Sequence, residues 1–446
     1  MDDISLDSDR SASTLLVIGA GPKGLAIAGK RAALAGMGWD VAHVVIIERD
    51  GVAAGWSGEH GLTDGNRLLG TPPEKDIGFP YSSSVWGSAG GMIDAEMMSL
   101  SWQRYLTAEG SFAAWIDRGR PRPTHRVWSS YLRWVAERIS LEVRPEEIRS
   151  IAVQDDRWIV SCNDGTRRPE CTLEGDALVL TGPGSPIHVT GQPKEHPRVF
   201  DGSSFWQHAD AFSELRLPIS VGVVGSGETA AAVVVALLDL LHEHSSIEII
   251  SPLGVPFSRG ESFEESRLFS NPGSEWQRLS VYHRREFVRR TDRGVFSMQA
   301  LEQIDLAENV RTLAGQATGV DARDEHVLVD VRYGDETERV AYDYVVIAIG
   351  FDPMSFVSLL TPETRRQLGE RVDNWSRSHL ELAIGFDLSV EGIDPPLHLP
   401  MMAGVAQGPG FPNLSCLGLL SDRILSSYTQ PRPAVVAERV ADHAVS

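Results

Sequence analysis

One ten-residue stretch narrows the possible folds more than any other: Leu15-Leu16-Val17-Ile18-Gly19-Ala20-Gly21-Pro22-Lys23-Gly24. Its four apolar residues read as a buried parallel strand, which the G-x-G-x-x-G turns into a helix. Gly19 permits the tight turn, Gly21 lets a pyrophosphate approach the backbone, and Gly24 lets the helix lie close on the sheet. The pyrophosphate then sits at a helix N-terminus, where free N–H groups favour an anion. A second apolar strand, Val44–Ile47, ends at Glu48, 24 residues past Gly24. An acid that holds a ribose hydroxyl is expected at roughly that spacing, about 20 residues on. The stretch therefore predicts a dinucleotide site rather than an ordinary glycine-rich turn, with Pro22 and Lys23 inside the binding loop.

A second signal of the same kind lies about 200 residues on. The apolar strand Ile219–Val224 runs into Gly225-Ser226-Gly227-Glu228-Thr229-Ala230 and an apolar helix, Ala231–Leu241. Ala230 serves as the third small residue, and Ile247–Ile250 is the following strand. Two matching strand-to-glycine segments, Asp176–Gly184 and Asp343–Phe351 with its Gly350, bracket this unit. The pattern predicts an α/β protein with two Rossmann-like domains: a discontinuous FAD domain over 14–210 and 346–446, and an inserted NAD(P)H domain over 211–345. A small, mainly helical substrate region is expected near 265–310. Two dinucleotide sites in one chain suggest hydride passing from a nicotinamide to a flavin.

Composition removes other classes. The 446 residues are 42% hydrophobic, ample for real cores, and carry a formal net charge of −20, which argues against nucleic acid and anionic membrane as partners. No apolar run approaches the roughly 20 residues of a membrane span. Residues 1–13 are acidic and polar, unlike a signal peptide, and are expected to form a disordered tail. Cys162, Cys171 and Cys416 form no C-x-x-C, so neither a metal site nor a redox dithiol is indicated. A soluble cytoplasmic enzyme, a homo-oligomer, is the expectation.

The connecting segments offer further candidates. Trp56, in the glycine-rich loop Gly51–Gly58, could stack on a flat ring or simply fill a core. The proline-stiffened segment Arg67–Asp76 could present Lys75 to a substrate carboxylate or leave it in solvent. Residues 94–118 look helical, Ser129–Ala136 opens an amphipathic helix, and 143–180 alternates in strand fashion. Ser251–Pro272 reads as loop-rich. A basic run, His283-Arg284-Arg285, Arg289-Arg290 and Arg293, follows it. Near the end, a glycine-rich turn through Asn413, Leu414 and Ser415 leads into a helix from Cys416 and could cap one end of a cofactor.

Across about Leu15 to Ile424 the chain resembles the flavin-dependent N-hydroxylating monooxygenases, the lysine and ornithine N-oxygenase family. The resemblance rests on Gly19–Gly24, Trp56-Ser57, Glu74-Lys75-Asp76, Tyr131-Leu132-x-Trp134, Gly225–Ala230, Ala348-Ile349-Gly350-Phe351 and Asn413-Leu414-Ser415. It implies FAD at the first site, NADPH at the second, and O2 as co-substrate. It also implies a C4a-hydroperoxyflavin that oxygenates the primary amine of a free amino acid, with Lys75 holding the substrate carboxylate. The amine must be neutral to attack, so the site should lower its pKa.

The departures bear on substrate. An asparagine typical of ornithine enzymes falls at Ser266, and a T-N-Y-like element appears as Thr291-Asp292-Arg293. The arginine expected for a 2′-phosphate appears as Ser251, so Arg259 replaces it or NADH is accepted. An arginine at 293 could hold a second carboxylate, and the Pro22-Lys23 variant is similar to that of the nitrosuccinate synthases. The favoured expectation is therefore α-amine oxidation of aspartate, with a lysine or ornithine ω-amine, as in siderophore or natural-product biosynthesis, as the alternative. Sulfur or Baeyer–Villiger oxygenation, and a non-catalytic flavin-binding protein, stay open.

Overall fold

The computed structural model describes residues 13–163 and 171–430. The expected N-terminal tail lies outside these residues, apart from Ser13. Two parallel five-stranded sheets form the framework. The first orders its strands Leu397–His398, Ala177–Leu180, Thr14–Ile18, His43–Ile47 and Val143–Arg144. The second orders Val199–Asp201, Tyr344–Ile347, Ser220–Val224, Ser246–Ser251 and Val310–Ala314. Both central strands are covered on two faces, which is why they read as unbroken apolar runs. Leu15, Leu16, Val17, Val221 and Val223 are fully buried.

Each sheet carries an antiparallel three-stranded appendage, Glu147–Gln154 with Arg157–Asn163 and Cys171–Gly175 in the first unit, and Gln316–Tyr342 in the second. The chain passes between the units twice, and the two crossings lie side by side. Ser185–Pro186 pairs antiparallel with Phe351–Asp352.

The drawn domain limits need correcting. The 210/211 limit falls inside the helix Ser204–Ser213, and the strand before it, Val199–Asp201, pairs with Tyr344–Ile347. The 345/346 limit falls inside that last strand, whose other neighbour is Ser220–Val224. Pairing thus places residues from Val199 through Ile347 in the second unit. A three-residue edge strand carries too little pattern to be read in advance. The loop-rich reading of Ser251–Pro272 also fails, because Phe263–Ser270 is a helix. A capping box starts it: Ser262 Oγ accepts from Glu265 N–H (3.3 Å), and Glu265 Oε2 accepts from Ser262 N–H (2.9 Å).

The helical stretch at 94–118 divides into Gly90–Met98, Trp102–Ala108 and Phe112–Asp117. The amphipathic helix spans His125–Arg138, capped by Thr124. Their aromatic faces meet in a core around Trp102, Trp128 and Tyr131, all essentially solvent-free.

Candidate functional site

The first glycine loop has the geometry its spacing demands. Gly19 adopts a φ of +109°, in the left-handed region, and its N–H donates to Ile47 O (2.9 Å). A Cβ on Gly24 would stand 2.1 Å from Gly19 O, so only glycine allows this helix-to-strand approach. A Cβ on Gly21 would meet no atom within 4 Å, leaving the open cradle that a pyrophosphate requires. Pro22 and Lys23 open the helix Pro22–Gly36. Lys23 is buried, and that burial lowers its pKa to about 8 against the opposing pull of Cys416 and Asp292. Glu48 ends its strand beside the loop, where Oε2 accepts from Ala20 N–H (3.3 Å) and Oε1 from Asp50 N–H (3.1 Å). These residues fit an FAD held at this loop.

The second loop repeats the backbone. Gly225 has a φ of +145° and donates to Ile250 O (3.0 Å), and Gly227 faces open space except for Gly294 N at 3.8 Å from its added Cβ. Glu228 and Thr229 then begin the helix Glu228–Leu240, and Glu228 Oε2 accepts from Ser297 N–H (2.8 Å). Ser226, between the glycines, is half-buried. Gly350, in the second crossing, has a φ of +93° and accepts from Ile187 N–H (3.0 Å).

Between the units lies a cleft of about 600 Å³. The first unit contributes Trp56, Lys75, His125, Asn413, Leu414 and Ser415 to its wall. The second contributes Glu228, Arg259, Glu261, Ser266, Phe269 and Asp292. Arg67 Nη1 reaches Asp239 Oδ2 (2.7 Å) on the second nucleotide helix and spans the two units. Trp56 both lines the cleft and packs on the aromatic core, set edge-on against His125 at 4.9 Å.

Lys75 is fixed by the residue after it. Asp76 is fully buried and accepts from Trp102 N–H (2.9 Å), Gly78 N–H (3.1 Å) and Tyr81 O–H (2.7 Å). Burial pushes its pKa up to about 6 despite these donors. Burial also lowers the pKa of Lys75; Cys416 opposes this and Arg259 adds to it. The side chain of Arg259 leaves its buried Nε without a partner among the described residues. It lines the cleft with Lys75 and Asp292. At the end of the second nucleotide strand, Ser251 Oγ accepts from Leu253 N–H (3.1 Å).

Arg293 corrects the sequence reading. It does not line the cleft, and its guanidinium pairs with Glu381 (3.4 Å). The rest of the basic run sits on the helix Val281–Thr291. Arg289 pairs with Glu286 (2.6 Å), and Arg284 donates to Gln277 O (2.9 Å). The arginine expected to receive a second carboxylate thus pairs outside the cleft lining, with a carboxylate that Arg377 also holds (3.2 Å), while its neighbour Asp292 lines the cleft.

Two further features were not read from the sequence. His125 Nδ1 lies 2.8 Å from Thr63 Oγ1, which itself accepts from Gly65 N–H, and burial lowers the imidazole pKa to about 4. Lys30 is fully buried and joins Asp422 Oδ1 (2.6 Å) and Ser83 Oγ (2.7 Å). It pins the first nucleotide helix to the helix Leu417–Ser426 that follows Asn413-Leu414-Ser415. A lysine inside a helix gives no sign of burial until its partner, 392 residues away, is known.

Two dinucleotide-type glycine loops, one in each of two units that share a cleft, with a discontinuous first unit, are the architecture of a two-domain nucleotide-dependent flavoprotein. Comparison with known proteins narrows this. Residues 97–353 match the family model described as L-lysine 6-monooxygenase/L-ornithine 5-monooxygenase. The L-lysine N6-monooxygenase MbtG of Mycobacterium sp. (strain MCS) is 42% identical over 97% of this chain and 99% of its own. MbtG of Mycobacterium tuberculosis (strain ATCC 25618 / H37Rv) is 43% identical over 93% and 94%. Among solved structures, the lysine monooxygenase NbtG of Nocardia farcinica is 39% identical with a TM-score of 0.80, covering 93% of this chain and 100% of that one. The ornithine hydroxylase PvdA of Pseudomonas aeruginosa, at 18% identity and TM-score 0.73 over 94% and 99%, shares the fold. The chain belongs to the lysine/ornithine N-monooxygenase family. It is a flavin-dependent amino acid N-hydroxylase that uses FAD, NADPH and O2. Among the described residues, no helix is long and apolar enough to cross a membrane, and no cluster of His, Cys, Asp or Glu could hold a metal.

Proposed function

We propose that the protein hydroxylates the side-chain amine of L-lysine. The observation that carries this reading is the mixed charge of the cleft, where Lys75, Arg67, Arg122 and Arg259 share the wall with Asp292, Glu261 and Glu228. Lysine presents a carboxylate suited to Lys75 and a distant ammonium suited to an acid. Aspartate has no distant ammonium for those acids, and Arg293, the group meant to receive its second carboxylate, lies outside the cleft lining and is paired with Glu381. The curated relatives named above, at 42 and 43% identity, are lysine N6-monooxygenases, which favours the lysine alternative over aspartate.

Bound FAD, reduced by NADPH, supplies the activated oxygen. The chain's own part is to position the amine and exclude water. Lys75, held by the Asp76 anchor, takes the substrate carboxylate, and Trp56, Phe269 and Leu414 form the apolar wall. Asn413 is fixed by its own turn, with Oδ1 accepting from Ser415 N–H (2.9 Å). Desolvation and the neighbouring Arg259 lower the ammonium pKa and favour the neutral amine, against the pull of the acid that receives it. Gly21, Pro22, Lys23, Gly24 and Glu48 are assigned to FAD, and Gly225 to Thr229 to NADPH.

The test is NADPH oxidation coupled to hydroxylamine formation on lysine, ornithine and aspartate, with FAD added. Coupled turnover should be greatest on lysine. Preference for ornithine would shift the substrate within the family, and coupled turnover on aspartate would overturn the reading.

A further inference from the structure

Resting on the lysine reading, we propose that Asp292 is the residue that receives the substrate's side-chain ammonium and takes its proton. Asp292 closes the helix Val281–Thr291, and its N–H donates to Val288 O (2.9 Å), which fixes the backbone of this cleft-lining residue. Asn413 Nδ2 approaches Oδ1 at 3.5 Å. Among the described residues no donor reaches Oδ2, and no cation forms an ion pair with this carboxylate. The charged groups facing it are Arg259 from the 251–262 segment, Arg293 from its own turn, and Lys23 from the first nucleotide helix. Oδ2 is the uncommitted acceptor that this wall offers a substrate ammonium, which binds there against the repulsion of those three cations.

Burial raises the Asp292 pKa, outweighing those three cations, and so makes it a better proton acceptor than a solvated carboxylate. In the step, one N–H proton moves to Oδ2, and the electron pair of that bond stays on nitrogen as the lone pair that attacks. The reaction then balances without an outside proton: R–NH3+ + NADPH + O2 gives R–NHOH + NADP+ + H2O. Nitrogen is oxidised, NADPH gives a hydride, one oxygen atom goes to nitrogen and the other to water. The proton stored on Asp292 is the one this water consumes. A free lysine ammonium, with a pKa of about 10.4, leaves only about one amine in a thousand neutral near neutral pH, so a proton acceptor has a large effect to supply.

The test is coupled N6-hydroxylysine formation by the FAD-loaded protein against pH, for the natural chain and for Asp292→Asn, with FAD content as the check on folding. The variant should lose about 100-fold or more in kcat/KM near neutral pH, as removal of a general base does. It should regain about tenfold per pH unit as neutral amine accumulates, while the natural chain changes less. Equal kcat/KM in both, or a loss of the same size at every pH, overturns the proposal. If Asp292→Asn fails to hold FAD, the natural chain still decides. 2-Aminohexanoate, which is lysine without its side-chain amine, should compete more weakly than lysine binds, and the gap should close as acid protonates the carboxyl. A gap that ignores pH overturns the proposal. Turnover of ornithine in place of lysine would overturn the substrate reading alone, and the same Asp292 comparison would then be run on ornithine.

Discussion

The two glycine loops share a backbone and differ in what surrounds it. In each, a left-handed first glycine donates to the neighbouring strand, and a second glycine faces open space. Around the first loop, Pro22, Lys23 and Gly24 are buried, and the helix Leu417–Ser426 is clamped on through Lys30 and Asp422. Around the second, Ser226 to Thr229 are half-exposed. The charges differ too. A cation, Lys23, stands in the first turn of the first helix, and an acid, Glu228, stands in the first turn of the second. An enclosed, positively biased N-terminus suits a cofactor kept through many turnovers. An open one, its dipole partly cancelled by an acid, suits a cofactor that exchanges each cycle.

The largest effects should come from filling the cradles. Gly21→Val should leave a folded protein without flavin, since its Cβ meets no protein atom but occupies the space left for the pyrophosphate. Loss of visible flavin absorbance, with an unchanged far-UV spectrum, checks this. Gly227→Val should instead keep the flavin and raise the KM for NADPH. If both variants lose FAD, or both keep it, the loops do not divide the cofactors as assigned.

Gly24→Ala comes next, and it concerns stability rather than contact with a ligand. The new Cβ would press against Gly19 O at 2.1 Å, whereas position 230 already carries alanine in the second loop. Separating the helix from its strand should cost about 1–3 kcal/mol, as overpacking usually does. A lowered Tm with weaker FAD retention would show it. Tolerance of Gly24→Ala would mean that the two loops pack more alike than their third residues imply.

These loops were also the most legible parts of the chain. Backbone requirements at Gly19, Gly24 and Gly225 act over a few residues, so spacing alone encodes them, and the buried parallel strands announce themselves as apolar runs. The cleft was less legible because it is assembled from both units. Lys75, Ser266, Arg259 and Asn413 were named from sequence and do line it, but Arg293 does not, because Glu381 lies 88 residues further along the chain. Asp292 drew notice only as a departure from an expected asparagine. Its role depends on which oxygens Asn413 leaves free, and no local pattern records that. The helix at Phe263–Ser270 is legible too, since Ser262 and Glu265 carry the capping-box spacing openly.

Charge at the first loop should produce the third effect. Lys23→Met removes the cation and should weaken FAD binding to the apoprotein by about 1–2 kcal/mol, roughly tenfold, near the upper range for a partly buried charge at a helix terminus. Its pH dependence gives the sign. Burial lowers this lysine to about 8, so it is cationic below that value and neutral above it. FAD affinity of the natural chain should therefore fall as pH rises through about 8, and the variant should not show that fall. Titration of apoprotein with FAD across that range measures both. A natural chain with no such fall would remove Lys23 from the comparison.

The smallest effect should have the opposite sign. Glu228→Gln keeps an oxygen that can accept from Ser297 N–H but removes the negative charge from the second helix N-terminus. Such a charge acts on an incoming anion by about 0.3–1 kcal/mol when part-exposed, so the KM for NADPH should fall about two- to five-fold. The effect should shrink with added salt, because the site is open and screened. FAD retention should not change. The informative quantity is the direction: a rise in KM would mean that Glu228 holds part of the nicotinamide cofactor directly, by accepting from it, and that the second loop is built for tight capture. A fall would mean that the acid loosens binding, consistent with a cofactor that must leave once per turnover.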